Sequence, residues 1–372
     1  MKKKLRALFG TSALAAMFVA APVFAAQIDV VGDNFLTGAD SFNENEHRIR
    51  DRASTRLRND VDVQNLADAW ANTGHNDQER NTEGGSLETG SVDVFTDWEN
   101  LLGDDALFFD EDGLLDISVD FLNDTTGADS FNRNRLRLDN NSRLNVDNLA
   151  RVLNCLRLNA NTGYDDQERN TLAGDLETGD IIVDSLITNE VNGGDFDGWY
   201  GDGGTVDVIG GNSFTGYNSD NINDVRIRNN DSARIRNRAD IDNYVDVRAN
   251  TGNNDQKRNT IAGDLETGDI EVSTDIVNVV NNAKGLLGGD RSTDIFADLS
   301  NDTTGADSDN RNDVDIDNRS TTRVDNRVDI DNELRVDANT GDNEQERNTE
   351  SGDIVTGDVL IDFSVTNEVN GG

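Results

Sequence analysis

The sequence predicts an all-β protein, a β-solenoid wound from four units of 89 residues. Three observations predict it. One motif recurs at a fixed interval, polar and apolar residues alternate with period two inside each interval, and asparagine interrupts the apolar row at fixed slots.

The motif is ANTGDNEQERNTESGDIVTGD, from Ala338 to Asp358, and near-copies begin at Ala71, Ala160 and Ala249. Aligning on it gives units of 27–115, 116–204, 205–293 and 294–372, the last without its final junction. A constant period of this size means supersecondary units that pack on their neighbours. A chain with 34% hydrophobic residues and a net charge of −40 would otherwise suggest disorder. Disordered segments drift in length, whereas this one keeps its register to the residue.

From Ser308 to Thr340 the even positions are small, aliphatic or Asn, and the odd positions are almost all Asp, Arg or Glu. Period two is the strand signature, with one face buried and one wet. The same inner row carries Val225, Ile227, Ile235 and Ile241 in the third unit, and Leu136, Leu138, Leu144 and Val146 in the second. The first unit is the weakest, with His47 and Asp51 on that row. The alignment also overrides the helical look of NLARVLNCLRL, which has to be strand like its counterparts.

Nineteen of twenty inner slots hold Asn, among them Asn132, Asn134, Asn140, Asn148 and Asn154 in the second unit. An unpaired buried amide costs about 1–3 kcal/mol, so each needs partners. Two geometries supply them: a bond to backbone at a bend, or amides stacked between strands about 4.8 Å apart. Some 33 alternating residues would span roughly 110 Å as one straight strand, against a usual length of five or six residues. The Asn slots are therefore expected to be corners of a wound strand. Thr-Gly at Gly38, Gly74 and Gly90 should mark sharper turns in which Gly takes positive φ.

The first 25 residues have three Lys and an Arg, an apolar run, and the small-residue step Val23-Phe24-Ala25. That is the layout of a secretory signal peptide spanning 1–25, whose apolar run is shorter than the roughly 20 residues a membrane span needs. Cleavage would leave 29 basic residues against 73 acidic ones, a net charge near −44. Such a surface repels nucleic acid and anionic membranes and favours cations and basic partners. A single Cys, Cys155, excludes an intrachain disulfide.

Through ANTG, RNT and ETGD the chain resembles the Asn-, Thr- and Gly-rich tandem-repeat proteins that bacteria secrete to their surface, of unassigned function. In style it also resembles curlin-type fibre subunits, which place Asn, Gln and small residues inside a wound β-structure. Both resemblances imply an extracellular structural protein.

Calcium is the sharpest ligand expectation. DEDGLLD offers Asp110, Asp112 and Asp116 around Gly113, like half of a calcium loop with oxygen ligands at alternate positions. DFDGWYGD offers Asp195, Asp197 and Asp202. The bland reading is that Asp-x-Asp-Gly arises by chance in so acidic a chain. The outer Asp rows face Arg226, Arg228, Arg234 and Arg236, which predicts a solvated face of weak ion pairs. No residue is expected to be catalytic. His47 and His75 occur in the first unit alone, His75 in an exposed turn. Trp98, Phe108, Phe109, Phe196, Trp199 and Tyr200 read as an apolar plug between units, or as a platform for sugars or a neighbouring subunit.

The sequence thus points to a secreted fibre or adhesive stalk at the cell surface. It would need no cofactor, self-associate head to tail into filaments, and have no membrane span. The rival is a calcium-dependent binding module for a glycan or surface ligand.

Overall fold

The computed structural model describes residues 5–15, 26–102, 115–191, 205–280 and 294–369. Every element among them is a strand. β1 is Leu5–Ala15. The first coil contains β2 (Ala26–Phe35), β3 (Phe42–Asn72), β4 (Asp77–Glu79), β5 (Leu87–Glu88) and β6 (Val92–Leu102). The order recurs as β7 (Leu115–Asp124), β8 (Phe131–Asn161), β9 (Asp166–Glu168), β10 (Leu176–Glu177) and β11 (Ile181–Val191). The third coil has β12 (Thr205–Ser213), β13 (Asp220–Asn250), β14 (Asp255–Lys257), β15 (Leu265–Glu266) and β16 (Ile270–Val280). The fourth has β17 (Asp294–Asp302), β18 (Asp309–Asn339), β19 (Glu344–Glu346), β20 (Ile354–Val355) and β21 (Val359–Val369).

Each strand pairs in parallel with its counterpart 89 residues away, so the coils stack into a β-solenoid of five sheets. β1 is the exception in spacing: it pairs in parallel with β6, Leu5 against Val92. That offset differs from the coil spacing by an even number and so preserves the alternation of faces.

The long strand does not break at asparagine. β8 pairs without interruption from Phe131 to Asn161, through every Asn slot. Its first part, at Leu136 and Leu138, packs on Ile117, Val119 and Phe121 of β7. Further along, Ala150 and Val152 meet Leu102 and Val191, and Leu156 and Leu158 meet Val92, Ile181 and Val183. One long strand thus forms a wall, and two short ones face it. The expected corners at Asn are corrected accordingly: the chain leaves the ladder at the glycine-bearing segments 36–41 and 73–76. The short strands cover the inner face at both ends of the long strand, around Leu136 and from Ala150 to Leu158, and keep those parts straight, whereas the middle inner slots Asn140 and Asn148 are half-buried.

The inner asparagines stack. Asn43 Nδ2 donates to Asn132 Oδ1 at 2.8 Å, Asn132 to Asn221 at 2.9 Å and Asn221 to Asn310 at 2.8 Å. Other slots do the same, as in Asn65 to Asn154 to Asn243 to Asn332. Two further rows, missed on sequence, come from the facing wall: Asn34, Asn123, Asn212, Asn301, and Asn100, Asn189, Asn278, Asn367. They bond across the core, Asn123 to Asn134 at 2.9 Å and Asn154 to Asn189 at 3.0 Å. The amides of these rows thereby satisfy donors and acceptors that burial would otherwise strand.

The repeated motif is a clasp. Thr162 Oγ1 of ANTG donates to Gly179 O of ETG at 2.7 Å, and Thr178 Oγ1 of ETG donates to Thr251 O of the next ANTG at 3.1 Å. Gln167 of DQE donates to Gln78, Gln256 to Gln167 and Gln345 to Gln256. Asn259 of RNT donates to Gln167 O at 2.9 Å.

Glycine serves close approach here, not positive φ. At the turns of Gly38 and Gly74 and their counterparts the left-handed residue is the one after the glycine or nearby: Asp40, His75, Tyr164 and Asn253 have φ of 57°, 59°, 64° and 60°. Gly74, Gly163 and Gly252 instead lie where the backbone of the next coil leaves no room for a Cβ.

Candidate functional site

Of the candidate calcium ligands, Asp110 and Asp112 lie outside the described residues, as do Asp195, Asp197 and Asp202. Asp116 is exposed on β7 and accepts two hydrogen bonds from Thr205 of the next coil, at 3.0 Å from N and 2.8 Å from Oγ1. These bonds hold its carboxyl below the usual carboxylate range. Among the described residues no three His, Cys, Asp or Glu gather closely enough to hold a metal ion.

His47 takes its inner slot by stacking on Phe121, with ring centroids 5.4 Å apart. His75 is exposed and stacks on Tyr164 at 4.9 Å. Cys155 is half-buried on the outer row, opposite Leu66 and Tyr244. Trp98 is not a junction residue: it is buried within β6, in register with Ile187. The other five aromatics of the expected plug lie outside the described residues. The outer rows form the anticipated ion pairs between coils, including Arg226–Asp315 and Arg236–Asp147, both at 3.0 Å.

One buried carboxylate departs from the pattern. The row Asn76, Asp165, Asn254, Asn343 follows each NTG, and Asp165 alone in it is an acid. Asn76 donates to Asp165 Oδ1 from N at 2.7 Å and from Nδ2 at 2.8 Å. The sister amides Asn76 and Asn254 each donate to a threonine carbonyl three residues back at 2.9 Å. Asp165 has no such donor, and its buried Oδ2 has no hydrogen-bond partner. Burial pushes its carboxyl up to about 6, against the hydrogen bonds of Asn76 and the charge of His75. Asp166 is also pushed up to about 6, first by burial and then by Asp255, Asp77 and Glu168.

A folded pKa above the unfolded value of 3.8 means that the folded state holds the proton more tightly. The contribution is therefore fully favourable below pH 3.8 and is lost as pH rises through about 6. Asp165→Asn is expected to stabilise the protein by about 2 kcal/mol at neutral pH, with little gain at pH near 4. Thermal melts of both proteins at the two pH values check this, and an unchanged or lower midpoint at neutral pH would contradict it.

The two ends of the stack are chemically unlike. The principal Asn rows run in one direction, each Nδ2 donating to the Oδ1 of the following coil. The first coil thus presents amide oxygens, as at Asn43 and Asn59, and the fourth presents amide nitrogens, as at Asn326, Asn332 and Asn367. The Gln row and the row of Asn72, Asn161, Asn250 and Asn339 run the other way. β21 pairs on one side only, with β16. Its Val359, Ile361 and Val365 are each 43% exposed, whereas Ile270, Val272 and Ile276, one coil earlier, are buried. No protein-family model, curated protein or solved structure matches the chain. No helix among the described residues is long and apolar enough to cross a membrane.

Proposed function

We propose that the chain is a secreted structural repeat protein that builds a cell-surface or matrix fibre, or an adhesive stalk, by stacking copies head to tail. The observation that supports this is the direction of the principal Asn rows. An end that presents amide nitrogens meets an end that presents amide oxygens, in the arrangement already used between coils. The strand edges support it too, since the β6 edge accepts an eleven-residue parallel strand, β1. With residues 1–25 cleaved as a signal peptide, that edge is open to β21 of another copy. Such a contact is heterologous and does not close on itself, so it generates filaments rather than dimers. On this reading the protein has no catalytic site and requires no cofactor.

Repulsion near −44 per copy opposes assembly, and salt or calcium screens it over a Debye length of about 8–10 Å. The chain beginning at Ala26 is expected to form thin, unbranched filaments as ionic strength rises, and removal of 359–369 to prevent them. Sedimentation across salt and calcium, with chelator as control, is the test. A stable monomer under all conditions would contradict the proposal, and filaments that need calcium specifically would turn attention to a bound ion.

A further inference from the structure

The net charge hides a basic face. In register, the outward positions 44–60, 133–149, 222–238 and 311–327 form one strip across β3, β8, β13 and β18. The strip holds 18 of the 28 Arg and only 10 of the 73 acidic residues, so it carries about +8 in a chain of −40. Arg48, Arg137 and Arg226 stand in one column of three successive coils. Since charges are screened beyond about 8–10 Å, a ligand on this strip meets the local excess rather than the acidic remainder.

Midway along the strip a depression of about 160 Å³ is lined by Arg56, Arg58, Asp147, Leu149, Arg236 and Arg238. A water molecule's share is about 30 Å³, so a larger group fits. Four guanidinium groups surround one carboxylate there. Asp147 meets Arg236 at 3.0 Å and Arg56 at 3.6 Å, and Arg58 meets Asp60 at 3.3 Å. Arg238 has no carboxylate within 4.0 Å among the described residues. Leu149 adds a small apolar floor where the sister coils carry Asp60, Arg238 and Arg327.

We propose that this strip binds an anionic polysaccharide, with a sugar carboxylate seated among Arg56, Arg58, Arg236 and Arg238 and the ring against Leu149. A guanidinium takes a carboxylate with paired hydrogen bonds, and the planar fork suits it better than an ammonium would. A linear polymer with one charge per ring also matches columns spaced by about 4.8 Å between coils. Single-stranded nucleic acid is disfavoured because no outward position of the strip is aromatic, and base stacking needs such platforms. A lipid surface is disfavoured because Leu149 and Ile222 are the strip's only apolar side chains.

The inference does not depend on filament formation, because binding is measured at about 0.1 M salt, where the acidic remainder is screened, and at a protein concentration at which sedimentation shows single chains. The probe is a linear oligogalacturonate in calorimetry, with a neutral glucan and an oligo-dT of equal length as controls. Oligogalacturonate is expected to bind, and to weaken as salt rises. Arg58→Gln with Arg238→Gln should lower affinity about tenfold, and Asp147→Asn, which removes the competing carboxylate, should raise it about threefold. Misfolding cannot produce that second effect. No binding of oligogalacturonate, equal affinity for oligo-dT, or insensitivity of binding to both variants would overturn the proposal.

Discussion

Replacing Asn243 with leucine is expected to destabilise the protein by about 2–4 kcal/mol, although it makes the core more apolar. Asn243 is 2% exposed and joins both walls. It accepts from Asn154 at 2.7 Å and Asn189 at 3.1 Å, and donates to Asn332 at 2.7 Å and Asn278 at 3.2 Å. Leucine has as many side-chain heavy atoms and is more apolar, so the transfer term itself is favourable, while its bulkier branch adds strain to the packed row. Each of the four neighbouring amides, however, loses one partner, and three of them, Asn154, Asn189 and Asn278, are fully buried where water does not replace it. The melting midpoint should fall by several degrees, whereas Ile241→Val, on the same strand, should cost about 1 kcal/mol. An unchanged or higher midpoint for Asn243→Leu would mean that the amide rows do not hold the coils together.

Gly252→Ala is expected to cost more than about 3 kcal/mol or to prevent folding of the third and fourth coils. Its Cβ would stand 1.9 Å from Gly341 O and 2.8 Å from Thr340 C. Both are backbone atoms, so no side chain can swing aside, and the coils would have to part. That breaks Thr251 N to Asn339 O and Asn253 N to Gly341 O, both 2.9 Å. Gly85→Ala is the control, because nothing lies within 4 Å of its Cβ position. Gly341→Ala is the informative companion. Its Cβ position meets only Asn339 Oδ1, at 3.8 Å, so the single chain should melt as the parent does. In a head-to-tail stack the same Cβ would strike Gly74 of the next copy, and filaments should not form. Loss of Gly252→Ala stability equal to that of Gly85→Ala would contradict the close-approach account.

The strands and their inward faces were legible because alternation and period are local and repeated: Val225 and Ile227 lie where period two puts them, in the core. Stacked asparagines were legible as one of two solutions, since any repeat of buried amides needs partners of its own kind. The facing rows at Asn123 and Asn189 were not legible, although Asn recurs at those offsets in every unit, because each short strand carries its stacked Asn singly and only the fold brings it against the long strand's rows. What the sequence withheld was which wall faces which. Without that, an unbroken 31-residue strand looks too long, and the turn glycines look like φ devices rather than gaps for a neighbouring carbonyl. The basic strip was hidden for the same reason: net charge averages over faces, and only register sorts Arg56, Arg236 and Arg238 onto one of them.

Head-to-tail stacking with the internal coil register is tested most directly by the mass per length and polarity of filaments grown from the chain beginning at Ala26. Each copy contributes four coils at about 4.8 Å, so the stack should hold one chain per roughly 19 Å and have unlike ends. That value, in a single polar strand, is the predicted result. Filaments with a two-fold repeat, or with a mass per length that no stack of four-coil subunits can give, would contradict it.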